Sequence, residues 1–188
     1  MDSYFEIKAI PDPELLQSAI VAQLMQALHG LLPAYEGRVG ISFPAYGQAR
    51  ALGGILRLHG SSEDIQRLCD QARDDSVLSN YALITDVFPV PEKVKGYSLY
   101  RRKHVKGESD IRRLIKRHKA RGTWTAELEE AIFAQYRQPQ NCPHVTLKSY
   151  TTGQAKFMLF IEQVMQGKAV EGEFNAYGLS KGGTVPWF

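Results

Sequence analysis

Between Tyr4 and Val90 the spacing of apolar residues alternates between that of a strand and that of a helix, and the order of the alternation leaves few folds open. Tyr4, Ile7 and Ala9 begin an extended segment that Pro11 and Pro13 close. Leu16, Ile20, Leu24, Leu28 and Leu31, with Val21 and Met25 beside them, then recur at helical spacing. A helix with one apolar face is expected from about Glu14 to Leu31, ended by Gly30 and Pro33. Short strands are expected at Val39–Phe43 and around Ile55–Leu58. Ser61 with Asp64 has the form of a capping box, opening a second helix through Ile65, Leu68 and Ala72. Tyr81 to Val90 reads as a strand. The order βαββαβ is that of the split βαβ, or ferredoxin-like, fold, so the class expected is α+β. Fold alone does not give function.

Pro89, Pro91 and Gly96 mark a change of composition, and the chain is expected to divide into a ferredoxin-like domain over 1–92 and a smaller α+β domain over 93–188. The second part reads as an extended piece from Tyr97 to Arg102, a helix from Asp110 to about Arg121 that Ser109 could cap, and a further helical pattern from Thr125 to Tyr136. Strands are expected at His144–Lys148 and Phe157–Ile161, and a loop over Gly178–Gly183 leads to Trp187 and Phe188. No run of about 18 apolar residues offers a membrane span, and acids stand where a signal peptide needs a basic start, so a cytoplasmic protein is expected. Cys69 and Cys142 lie far apart with no zinc-ligand spacing and read as small buried hydrophobes.

The formal charge of +3 hides a strong polarity. Lys93 to Arg121 holds twelve Lys or Arg against Glu108 and Asp110, a net of +10, which leaves the other 159 residues at −7. A basic linker or a phosphate-binding face would both give this imbalance. The helical wheel separates the two. Ile111, Leu114, Ile115 and His118 fall on one arc, while Arg112, Arg113, Lys116, Arg117 and Lys119 occupy the opposite one. No acid interrupts that ridge after Asp110. Like charges at i,i+4 cost a few tenths of a kcal/mol each, roughly, unless a polyanion neutralises them. A nucleic acid is therefore the expected partner, with Arg101, Arg102, Lys103 and His104 placed to read base edges. This argument does not separate RNA from DNA.

No carboxylate pair, HxH or DxD spacing suggests a metal-dependent nuclease, and no cofactor is expected. Metal-free RNA cleavage requires only a base for the 2′-hydroxyl and groups that position the sugar, and histidine suits the base. His29, His59, His104, His118 and His144 compete for that role, and residue patterning does not choose among them. His118 reads as a core-facing spacer. Ser180-Lys181-Gly182-Gly183 could cradle a phosphate or form a simple turn, and Ser149, Tyr150 and Thr151 are hydroxyls at a strand end.

Several residues together resemble a known family. These are Tyr4 and Ile7 with Pro11-Asp12-Pro13-Glu14, Leu28-His29, Gly40-Ile41-Ser42-Phe43-Pro44, the basic helix, Thr152-Gly153-Gln154, Tyr177 to Gly183 and the Pro186-Trp187-Phe188 end. The chain resembles the CRISPR repeat-processing endoribonucleases of type I-F systems, the Csy type, over nearly its whole length. The middle, from about Gln48 to Val105, is matched mainly by length and pattern.

The resemblance implies an enzyme that binds the hairpin of CRISPR repeat RNA and cuts at the 3′ base of the stem without metal. It further implies a cyclic 2′,3′-phosphate product, and an enzyme that stays on the RNA beside the other subunits of a surveillance complex. It implies that His29 is the general base, that Ser149 holds the ribose with Thr151 nearby, and that Tyr177 lies near the histidine. Arg113, Lys116 and Arg117 would lie in the RNA groove, Phe157 would stack on the terminal base pair, and Arg102 would read the guanine at the foot of the stem. The family pattern has glutamine where this chain has His104, and arginine in place of Lys116. A non-catalytic hairpin-binding subunit and a DNA-binding regulator are the other readings of the basic face.

Overall fold

A computed structural model describes residues 1–105, 108–137, 142–148 and 156–188. The chain forms two compact units, Met1–Lys103 together with Cys142–Phe188, and His104–Asn141. The architecture is α+β, as expected.

In the first unit, β1 (Ser3–Ala9), α1 (Gln17–Leu31), β2 (Gly40–Ser42), β3 (Ile55–Gly60), α2 (Ser62–Asp74), α3 (Ser76–Tyr81) and β4 (Ala82–Ile84) follow one another. The antiparallel sheet has the order β2-β3-β1-β4, with the two-residue β5 (Phe88–Pro89) also paired to β1. Register sets Phe5 opposite Leu58 and Ile7 opposite Leu56, and all four side chains are fully buried. Against them α1 packs Ile20, Val21, Leu24, Met25 and Leu28.

Three local expectations are corrected. The first helix begins at Gln17, not near Glu14, because the Asp12 carboxylate accepts from the N–H groups of Glu14 and Leu15 and holds a turn there. Leu16 becomes an extended N-cap, 77% exposed, rather than the start of the apolar ridge. The segment expected as one strand from Tyr81 to Val90 is broken. Asp75 accepts from the N–H groups of Val77 and Leu78, both at 2.9 Å, and caps α3 through to Tyr81. The capping box at Ser61 forms by half: Ser61 Oγ accepts from Asp64 N, but the Asp64 carboxylate accepts from Arg38.

A second antiparallel sheet, order β7-β8-β6-β9, is made of β6 (Gly96–Lys103), β7 (His144–Leu147), β8 (Phe157–Gln166) and β9 (Val185–Trp187). The last strand follows the expected loop at 178–183, in an end for which no strand was expected. It is three residues long and contains Pro186, too short for a period-two pattern to be seen. Tyr100, Val145, Leu147, Leu159, Ile161, Phe174 and Leu179 join the residues of the first sheet in a single buried cluster. The boundary expected after residue 92 is therefore where the chain passes from one sheet to the next, and the core does not divide there. Tyr46 ties the sheets together by donating its hydroxyl to the Ile161 carbonyl at 2.9 Å. Gly40 sits where a Cβ would fall 2.6 Å from the Phe174 ring, so the tail can lie directly against β2.

The second unit holds α4 (Glu108–Ala120) and α5 (Ala126–Arg137). Ser109, expected as the cap of α4, lies inside the helix. The wheel of α4 is realised. Ile111 is buried, and Leu114, Ile115 and His118 are half-buried, while Arg112, Arg113, Lys116, Arg117 and Lys119 are exposed. Thr125 caps α5 by accepting from Leu128 N. No helix among the described residues is long and apolar enough to cross a membrane.

Candidate active site and nucleic-acid interface

The fully buried residues of α1 end at Leu28, and the next residue, His29, is half-buried. Its ring lies parallel to that of Tyr177, with centroids 4.0 Å apart and planes 10° from coincidence. Its Nδ1 is 3.0 Å from the Ala176 carbonyl oxygen. A carbonyl oxygen only accepts, so Nδ1 carries the proton, and in the neutral ring Nε2 is left with its lone pair. That is the nitrogen a general base needs. Burial pushes the Tyr177 phenol above its usual range, opposed by the nearby positive charge of Arg102, so the stacked ring is neutral near pH 7.

Arg102 and Phe157 reach the same region from the second sheet. Residues alternate faces along a strand, so Arg101 and Arg102 point oppositely. Arg101 is held by Glu162 across the β6–β8 pair, at 2.9 Å. Arg102 shares the face of Tyr100 and lies with its guanidinium 5.8 Å from the centroid of the Phe157 ring. Phe157 in turn shares the face of the buried Leu159 and Ile161. A positive charge and an aromatic face are thus presented together, and the Arg102 charge is felt at Tyr177.

The end of β7 is anchored to α1 one turn before His29, where Lys148 N donates to Gln26 Oε1 at 3.0 Å. Alongside runs an open groove of about 370 Å³, lined by Ala22, Gln26, His144, Thr146, Lys148 and Lys156 among others. Ser149 and Thr151, the expected sugar-positioning hydroxyls, lie outside the described residues.

The remaining histidines are distinguished by their surroundings. His59 is fully buried, with Nε2 2.8 Å from Ser42 Oγ, and burial together with Arg57 pushes its pKa down to about 3. His144 is exposed and packs on Phe160, His104 is exposed, and His118 has Nδ1 2.9 Å from Thr123 Oγ1 at the end of α4. Ser180 to Gly183 forms a structural turn. Ser180 N donates to the Tyr100 carbonyl, Ser180 Oγ accepts from Tyr100 N, and Lys181 N donates to the Glu173 carbonyl. In the second unit the five cations of α4 form a continuous exposed ridge, relieved on the helix by Asp110, whose carboxylate lies 4.0 Å from Arg113.

Sequence reasoning overlooked Gln26, Asn175 and the Ala176 carbonyl. A backbone oxygen has no signature in sequence. Asn175 followed by Gly178 did carry a turn signal.

An α+β chain with a tautomer-fixed histidine beside an arginine and aromatic pair, and a separate cationic helix, has the make-up of a nucleic-acid-processing protein. Comparison with known proteins makes that class specific. The sequence model of the family described as CRISPR-associated protein (Cas_Csy4) matches residues 4–188. The chain is 37% identical over 191 residues to a CRISPR-associated endonuclease Cas6/Csy4 of Escherichia coli (strain UTI89 / UPEC), covering all of both chains. It is 36% identical over 196 residues to a protein of the same name from Pseudomonas aeruginosa (strain UCBPP-PA14), again covering all of both. The chain belongs to the Cas_Csy4 family of CRISPR-associated proteins.

Proposed function

We propose that this protein is a metal-independent endoribonuclease that binds the stem-loop of CRISPR repeat RNA and cuts at the 3′ base of the stem. The observation that carries the reading is the Nδ1 bond of His29 to the Ala176 carbonyl, which leaves Nε2 as the free base. Nε2 takes the proton of the 2′-hydroxyl, and the oxygen attacks the adjacent phosphorus. The bond to the 5′-oxygen breaks, leaving a cyclic 2′,3′-phosphate. Ser149, with Thr151 beside it, holds the ribose, and the Tyr177 stack keeps the imidazole in place.

Arg102 forks onto the guanine at the foot of the stem, where Phe157 stacks on the last base pair. Arg112, Arg113, Lys116, Arg117 and Lys119 neutralise phosphates, and His104 contacts the bases just above the cut. The mature RNA stays bound, and the protein acts in the cytoplasm as one subunit of a type I-F surveillance complex. The relatives' printed names, CRISPR-associated endonucleases, support the endonuclease part of this reading.

Cleavage of the cognate repeat hairpin in excess EDTA tests the reading. Full activity with a cyclic-phosphate product, lost when the scissile nucleotide is 2′-deoxy, is expected. A requirement for magnesium would overturn the mechanism, and hairpin binding without any cutting would instead favour a non-catalytic subunit.

A further inference from the structure

We infer that Asn175 is a positioning residue for this chemistry, its side-chain oxygen shaping the turn that brings the Ala176 carbonyl and the Tyr177 ring to His29. The inference rests on His29 acting as the base.

Asn175 Oδ1 accepts from two backbone groups, Tyr177 N at 2.8 Å and Leu179 N at 3.1 Å. The backbone closes the same turn, with Gly178 N donating to the Asn175 carbonyl and Asn175 N to the Leu179 carbonyl, both at 2.8 Å. One side of the turn is fixed to β2, where Ile41 N donates to the Gly178 carbonyl at 2.9 Å. Gly178 takes φ +73° at this contact, and a Cβ there would meet Ile41 Cβ at 3.1 Å. The other side presents the two groups that touch His29: the oxygen on Nδ1 and the ring stacked on the imidazole. Ala176 and Tyr177 are thus suspended between an anchored Gly178 and the Asn175 side chain.

The consequence for His29 is chemical. A neutral imidazole holds its proton on the nitrogen with the better acceptor. Withdrawing the Ala176 carbonyl frees that proton to move to Nε2, where it removes the lone pair the reaction uses. Loss of the stack frees the ring to rotate. The Asn175 side chain is spent on the turn and makes no hydrogen bond to His29.

The test uses the full-length protein with ¹⁵N-labelled histidine, reading the His29 tautomer by long-range ¹⁵N–¹H correlation and the single-turnover cleavage rate. Wild type is expected to hold the Nδ1–H tautomer. Asn175→Ala is expected to lose roughly 10- to 100-fold in rate, the scale of a small misplacement of a reacting group, with hairpin binding unchanged and the tautomer moved toward Nε2–H. Asn175→Asp keeps an acceptor oxygen and is expected to restore both. Should Asn175→Ala not fold, Asn175→Ser, whose hydroxyl forms the same turn more weakly, is expected to fall between.

An Nε2–H tautomer in wild type overturns the inference, as does an unchanged rate in the alanine or serine variant. A lowered rate with the tautomer unaltered makes Asn175 a turn former only, and overturns it too. Full activity of His29→Ala would sink the base assignment instead, while the tautomer measurement still decides what Asn175 does.

Discussion

The two units are built to different standards. In Met1–Lys103 with Cys142–Phe188, two sheets and three helices share one buried cluster, and His29 stands directly on its edge, next to Leu28. In His104–Asn141, Ile111 and Ile132 are the only buried side chains among the described residues, and most of α4 faces solvent. Proton transfer tolerates little misplacement, so the proposed chemistry falls on the unit with the larger core. Neutralising phosphates requires charge density rather than fixed geometry, and a thin helical unit can supply it. On the proposed function, the difference gives gripping and cutting separate structural supports.

The sharpest way to break this division is His29→Ala. Its cleavage rate under single-turnover conditions is expected to fall by about 10² to 10⁴, with hairpin affinity within a few-fold of wild type. Loss of affinity in parallel would show that the site and the grip are one device. Next come two core truncations. Leu28→Ala, in the main cluster, is expected to lower global stability by about 2 to 5 kcal/mol in urea unfolding. Ile111→Ala is expected to cost less globally and to act locally, raising amide exchange in α4 and α5 while protection in α1 and the sheets is kept. Equal loss of protection in both units would contradict their independence.

The same contrast explains what the sequence could disclose. The wheel of α4 was legible because a single helix with one apolar stripe needs no long-range information, and its burial pattern is the one expected. The buried face of α1 was legible for the same reason. Leu16 was misread because the Asp12 turn ends the helix by a side-chain contact that periodicity does not register. In the site, His29 stood out only through family likeness, since its fitness as a base depends on a carbonyl 147 residues away. The partnership of Arg102 with Phe157 similarly depends on strand pairing between β6 and β8, which fixes faces that neither segment fixes alone. The core's continuity across residue 92 was hidden by prolines that bend the chain without dividing the fold.

On the gripping side, Arg113→Ala with Arg117→Ala is expected to weaken hairpin binding about uniformly across stem sequences. The slope of log affinity against log salt should fall by roughly 0.7 to 0.9 for each phosphate that the variant no longer neutralises. Cleavage at saturating protein should keep its rate. An unchanged salt slope would remove α4 from the interface, and a lowered rate at saturation would give the helix a part in the chemistry.

The smallest effect probes the unit with the larger core through its buried histidine. His59 titrates near 3 in the folded chain and near 6.5 when unfolded, because burial and the Arg57 charge disfavour its protonated form. Between those values the unfolded chain binds a proton that the native chain does not, so stability rises with pH through this window and falls as pH is lowered below about 6.5. The slope is at most about 1.4 kcal/mol per pH unit. His59→Gln keeps a polar group for Ser42 and removes the titration. The stability of wild type relative to this variant is therefore expected to decline from pH 7 to pH 5 in urea titrations. The carboxylates of Glu6 and Asp64, both held below their usual range by arginine or lysine partners, remain ionised over that interval and cancel in the difference. A difference that stays flat would mean that His59 meets solvent in the folded protein, and that the core of the first unit is looser than its packing implies.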